Sequence, residues 1–513
     1  HGIIRQGGGT LAIKTDQLDN RGNIGLLPAD NPATGSGNGT SPAPGNNAAN
    51  SGAGGGSGSI ELAGISNHNG AAILSAGQTD LSVNQQQLVN HGKMQLGTFH
   101  YSGDALDNYG QIRARRGELS GKTLTNREGA VLSAGDFATF SFTDNIKNSG
   151  TLYSDSNFRL HSTHIENQGA NSLIASNGAL DIHSEHVENR GRIQSGGSLQ
   201  GNIGSLENSG LLGSGGNLQL DLQRLDNQGT GQLLARGRLS LAVSEAIQQH
   251  GRIEAGGALQ LHAPLLANYG TIQSALTTLR IDGKLDNHGT IGASGSQHIT
   301  AESVANQGTL GAGSQQHIDS QSLDNAGLVT AASLHLKSDT LDNRGDIRAQ
   351  RLSIDAGGNL TNSGNLIGTE QIQLSDIHTT NNSSGLIYGG RTDIDGGDLT
   401  NHGRIGATRE LRFTLPQLTN HGQLFSAGLI TGEVARLNNH ELIRGQTVTL
   451  RGITLNNHGQ IAADSSLTLQ QQQLTNHGLL DAARFAISGQ QLDNHGIIRQ
   501  RGVHLGLRLG EHH

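Results

Sequence analysis

One string, L-x-N-x-G, returns along the whole chain at intervals of mostly 18 to 20 residues. Its Asn falls at 20, 67, 90, 108, 126, 148, 167, 189, 208 and 227. Gln249 then stands in its place, and the Asn resumes at 268, 287, 306, 325, 343, 362 and 382, and again at 401, 420, 439, 457, 476 and 494. A unit this short cannot bury an apolar face by itself, so each copy has to stack on its neighbours.

Within a unit the period is two. In LDNHGTIGASGSQHITAES (285–303), Leu285 and Ile291 are expected to point inward around a turn at Asn287 and Gly289, followed by Ala293 and a second apolar run at Ile299. Leu334-His335-Leu336 alternates in the same way. Short alternating runs separated by Gly and Asn read as strands joined by tight turns. The expected fold class is therefore all-β: a right-handed parallel β-helix, or β-solenoid, of about 24 coils of ~19 residues. At ~4.8 Å per coil this makes a rod roughly 110 Å long. One Asn per coil at one corner places each amide over its copies, where it donates to one neighbour and accepts from the other. The Gly two residues on supplies positive φ or close backbone approach.

The apolar residues suit a thin, uniform core. There are 5 Tyr, 8 Phe and no Trp among 513 residues, with 77 Gly. Net charge is −8 and no segment carries a run of Lys or Arg, which excludes the concentrated basic footprint of a nucleic-acid binder. No apolar stretch approaches the ~20 residues that span a bilayer. Cys is absent, so disulfides and thiol catalysis are excluded.

Four spans are expected. Residues 1–27 hold the first coils, beginning mid-repeat, since HGIIRQ at 1–6 returns within LDNHGIIRQ at 492–500. Residues 28–59 form a flexible Gly/Ser/Asn/Pro-rich insertion, which includes the weak sequon Asn38-Gly39-Thr40. Residues 60–500 form a continuous solenoid, and 501–513 a remnant of repeat whose LGEHH ending reads as an appended tag. Units beginning near Asn67, Asn126, Asn167 and Asn227 are three or four residues longer than the rest, with the extra residues just after the Asn. They are expected to be bulged turns, or else a shaped ridge that meets a partner.

Three candidate sites need weighing against the repeat itself. Arg344-Gly345-Asp346 is an RGD tripeptide, but N-x-G-x-I leaves both x positions free, and one R-G-D among so many copies is a chance event. His402, His421, His440, His458, His477 and His495 follow the corner Asn in six consecutive units, and one-per-coil residues stack. This is expected to be a solvated corner position. The alternatives are a response to pH, loosening this segment as pH falls, or adventitious metal binding. Asp and Glu fall mostly in LDN and VEN corners, one per coil, with no paired carboxylates beside an aromatic platform. No catalytic, cofactor-binding or metal-ligating residues are assigned, and an enzyme is not expected.

The repeats LDNRGDI (341–347), LTNHGQL (418–424) and LDNHGII (492–498) resemble the haemagglutinin repeats of filamentous haemagglutinin-like exoproteins. These belong to bacterial two-partner secretion systems and include adhesins and contact-dependent growth inhibition proteins. The resemblance covers essentially the whole chain outside 28–59. It implies a right-handed β-helix exported through an outer-membrane β-barrel transporter, secreted and displayed at the bacterial cell surface. Val187-Glu188-Asn189-Arg190 comes one residue from the VENN motif that precedes toxin domains in some members, at a position where the repeat already demands Asn.

The expected function is a rigid stalk that serves adhesion or presents a C-terminal effector in contact-dependent growth inhibition. The alternative is a receptor- or glycan-binding segment acting through the enlarged corners or the span 28–59. A polysaccharide-active enzyme ranks below both. Expected partners are the transporter and a receptor on a host cell or neighbouring bacterium, with no nucleic acid and no cofactor. Open strand edges would also allow the chain to associate end to end.

Overall fold

Strict alternation sets the direction of each side chain, and the structure shows where it leads. This computed structural model describes residues 3–7, 12–27, 58–62, 64–75, 79–84, 86–501 and 505–509. Among them there are strands, turns and bends but no helix. The chain is a parallel β-solenoid of about 22 turns at ~19-residue spacing. It divides into two compact units, His1–Ala242 and Val243–His513.

In the second unit, each apolar position of the repeat becomes a column. Leu285, Val304, Leu323, Leu341 and Leu360 pair in register from coil to coil. So do Ile291, Leu310, Val329, Ile347 and Leu366, and Leu279, Ile299, Ile318, Leu336 and Ile354. All fifteen side chains are at most 2% exposed. The three columns converge inside the coil, and each residue touches the rung above and the rung below. Leu323→Ala, between Val304 and Leu341, is expected to cost ~2–5 kcal/mol. Faster amide exchange in those two adjoining coils is the measurement that checks it.

The first unit has the same columns, for example Leu124, Ile146, Ile165, Val187, Leu206 and Leu225. Its core is not uniform, however. Phe99, Tyr101, Phe140, Phe142 and Phe158 are all at most 1% exposed. Phe140 and Phe158 meet edge to face at 4.9 Å. The glycine at 117 lies opposite Phe140, where a Cβ would sit 3.4 Å from the ring; the missing side chain makes room for the larger one. Burial pushes the Tyr101 phenol well above its ordinary pKa.

The corner Asn residues form a buried ladder in each unit. Asn287 Nδ2 donates to Asn306 Oδ1 at 2.7 Å, and Asn306 Nδ2 to Asn325 Oδ1 at 2.8 Å. Most of these amides also reach a backbone carbonyl of the next coil, as Asn306 does to Leu328 O at 3.2 Å. In the first unit, the same bonds run from Asn20 through Asn67 and Asn90 to Asn108.

Two departures from the expected register follow. The ladder residue in the unit near 381 is Asn381, not Asn382: Asn381 is fully buried and links Asn362 to Asn401. Asn382 instead donates to Ser363 Oγ on the half-buried rim. The second departure is at Gln249, whose longer side chain bonds Gly251 O at 2.7 Å and Thr271 O at 3.2 Å. Asn268 Oδ1 is left buried without a donor. Gln249→Asn restores the missing donor and is expected to add ~1 kcal/mol of stability, seen as a higher unfolding midpoint.

The expected span 28–59 lies outside the described residues up to 57, as does the sequon. Residues 58 and 59 already belong to the strand Gly58–Leu62, which pairs with Thr79–Asn84. At the other end, Leu505–Leu509 is a strand paired with Phe485–Gly489.

Candidate functional site at the coil corners

Since inward positions are consumed by packing, chemistry is confined to the outward positions, and the corners are where the sequence varies most. In an ordinary corner the next strand begins three residues after the Asn, as Thr290 does after Asn287. At Asn67, Asn126 and Asn227 it begins five residues later, at Ala72, Val131 and Gln232. At Asn167 it begins six residues later, at Leu173. A fifth enlarged corner follows Asn381, where the strand resumes at Leu386. Gly70, Gly129 and Gly169 supply the positive φ that these longer turns need. The four in the first unit are separated from one another by ordinary corners at 90, 108, 148, 189 and 208, so they form isolated bumps and not a continuous ridge.

The RGD tripeptide is an ordinary corner. A Cβ at Gly345 would meet Gly327 O at 2.2 Å. Arg344 is engaged by Asp324 of the preceding coil, which holds its guanidinium pKa above the ordinary value. Asp346 accepts from Arg348 at 2.8 Å and from Asn365 at 2.6 Å. Both charged side chains are thus committed within the chain.

The six corner histidines form a single stack. Successive ring centroids from His402 to His495 are 5.0, 4.4, 5.3, 4.9 and 5.0 Å apart, with interplanar angles of 5° to 12°. All six side chains are exposed. Partial burial, and then the neighbouring His421 and His458, hold the His440 imidazole below its ordinary pKa. Two shorter stacks were not singled out from the sequence. His250, Tyr269 and His288 stack at the same corner position. His298, His317 and His335 stack on a strand face; their spacing of 19 and 18 residues was the available signal.

Acidic groups are dispersed. A groove of about 920 Å³ on the second unit mixes Arg280 and Lys337 with Asp282, Glu302, Asp319 and Asp339. His262 and then Arg280 engage Asp282, drawing its carboxyl below the usual range. No three His, Cys, Asp or Glu side chains among the described residues converge as a metal site would require.

Comparison with known proteins points in one direction. No family model and no solved structure matches the chain. The deoxyribonuclease CdiA of Dickeya dadantii is 29% identical over 363 residues, covering 66% of this chain and 10% of that protein. The tRNA nuclease CdiA of Yersinia mollaretii is 28% identical over 372 residues, covering 71% of this chain and 10% of that protein. The toxin CdiA of Escherichia coli is 33% identical over 194 residues, covering 36% of this chain and 6% of that protein. This chain therefore spans at most about a tenth of the length of these curated relatives. By repeat and by these alignments, the chain is similar to a stretch of CdiA, a contact-dependent growth inhibition protein of the filamentous-haemagglutinin type.

Proposed function

We propose that this chain is a spacer within a two-partner-secreted surface exoprotein, a stalk segment that holds an effector away from the producing cell. The observation that carries this reading is the ladder of corner Asn residues, in which each unit is tied coil to coil by buried amides. Such a solenoid resists shortening and adds a fixed increment of length per turn. In this reading the polypeptide leaves the cell through an outer-membrane β-barrel transporter, is displayed at the cell surface and acts on a neighbouring cell. In this reading the nuclease activities named for two relatives lie outside the matched stretch, and this segment serves to carry such an effector.

The competing reading makes the segment itself a receptor- or glycan-binding module of an adhesin. Separated enlarged corners give it less support than an unbroken ridge would. One experiment divides the two. An excess of the purified chain, added to target cells, should leave inhibition by the full-length exoprotein unchanged if the segment is a spacer. Competition between the two would assign recognition to this stretch instead.

A further inference from the structure

The six-histidine stack carries more than its role as a corner. Its rings lie face to face, so the faces that could receive a sugar are covered and only ring edges meet solvent. No third donor converges on any pair of them to complete a metal site. What remains open to the stack is the proton, and the surrounding charges decide how the stack responds to it.

At the corners, the residue before the ladder Asn and the residue after it lie within reach of each other. Asp19 meets Arg21 at 3.1 Å, Asp286 meets His288 at 3.1 Å and Asp493 meets His495 at 2.9 Å. The position before the Asn is acidic at 19, 107, 166, 188, 207 and 226 in the first unit, and at 286, 324 and 342 in the second. It is then neutral in seven successive coils: Thr361, Thr380, Thr400, Thr419, Asn438, Asn456 and Thr475. The histidine column thus begins where the acidic column has ended. Of its six members, only His495 has a carboxylate before its Asn.

The other charged groups flanking the column on its strands and turns are Asp398, Arg404, Arg436 and Glu441. Two are basic and two acidic. Glu441 stands in a position that is Gly in the other five corners of the run.

We propose that coils 401–494 are an acid-labile segment, in which a stacked and largely uncompensated histidine ladder loosens locally on mild acidification while coils 188–227, which carry no histidine, hold. This inference stands independently of the spacer reading. The sign follows from the ladder. A folded state that disfavours imidazolium takes up fewer protons than the unfolded chain. Stability is therefore complete above the ordinary histidine pKa of ~6.5 and is lost as pH falls below it. The lowered pKa of His440 agrees with that direction. Two imidazolium ions ~5 Å apart in water-like dielectric repel by enough to change an opening equilibrium about fourfold per adjacent pair.

Amide exchange of the whole chain at pH 7.5 and 5.5, corrected for intrinsic chemistry, tests the proposal. Protection at pH 5.5 should fall in 401–494 by about fourfold or more relative to the histidine-free coils 188–227. The pair Thr419→Asp and Asn456→Asp, which extends the acidic column beside the stack, should largely abolish the difference. So should His421→Asn with His458→Asn, which places at the corner a residue already found at Asn382. An equal response of both segments, or a response unchanged in both double variants, would overturn the proposal.

Discussion

Asn306→Ala is expected to destabilise its coil and the two beside it by about 2–4 kcal/mol. Asn306 is 1% exposed, and its amide is the middle of a chain in which it accepts from Asn287 and donates to Asn325. Removing it takes the acceptor from Asn287 Nδ2 and the donor from Asn325 Oδ1. The two consequences differ. Asn287 Nδ2 retains the carbonyls of Gly289 at 3.3 Å and Thr309 at 3.2 Å, so its loss is partial. Asn325 Oδ1 becomes a buried acceptor with no donor, and such a group costs ~1–3 kcal/mol. A cavity the size of an amide adds to this. Because each repeat touches only its neighbours, the effect should be read locally, as loss of amide protection in the strands Gln297–Asn306 and Gln315–Asn325. Unchanged protection there would show that water replaces the amide at no cost. The native Gln249 is a milder version of the same break, since it orphans Asn268 Oδ1 while keeping its own donors satisfied.

How far the sequence reveals this molecule depends on whether a residue acts through its own coil or through its neighbour's. Leu285, Ile291 and Ile299 sit inward as their period requires, because alternation is a property of the single strand. The ladder was equally legible from one Asn per coil. The doublet at 381 and 382 misled because L-x-N-x-G counts letters, whereas the ladder counts positions before an enlarged turn whose length the motif does not encode. The aromatic cluster from Phe99 to Phe158 was missed for a related reason. Few aromatics in the whole chain suggested an even core, but five of them lie on neighbouring coils opposite small residues such as Gly117. At the corners, the histidine stack could be read from spacing alone. Its isolation from acids could not be read from the His positions, since it is a relation between two columns, one of which stops.

Gly289→Ala and Gly292→Ala are expected to differ in sign, although the two glycines stand three residues apart in one strand-turn-strand. A Cβ at Gly289 would sit 2.1 Å from Gly270 O and 2.8 Å from Tyr269 C. No positive φ is involved at this corner; what demands glycine is the backbone of the coil below. That backbone is fixed by hydrogen bonds from Gly289 N to Asn268 O at 3.0 Å and from Thr290 N to Gly270 O at 2.9 Å. The methyl group therefore has to force two coils apart at the rung where the ladder Asn268 and Asn287 also meet, at 2.8 Å. Overpacking of this kind costs ~1–3 kcal/mol. Relief is available, as Glu441 shows at the equivalent corner, where the neighbouring bond from Leu442 N to Gly422 O is longer at 3.2 Å. The ladder bonds into and out of Asn439 at that corner stay at 2.8 Å, so the adjustment falls on the backbone hydrogen bond. At Gly292 nothing lies within 4 Å of the added Cβ, and the strand residue gains ~0.4–1 kcal/mol from the reduced freedom of its unfolded chain. Denaturation midpoints of the two variants should fall on opposite sides of the parent. Equal midpoints would mean that coil spacing at the corner is soft, and the close approach of the two backbones would then not be what holds glycine there.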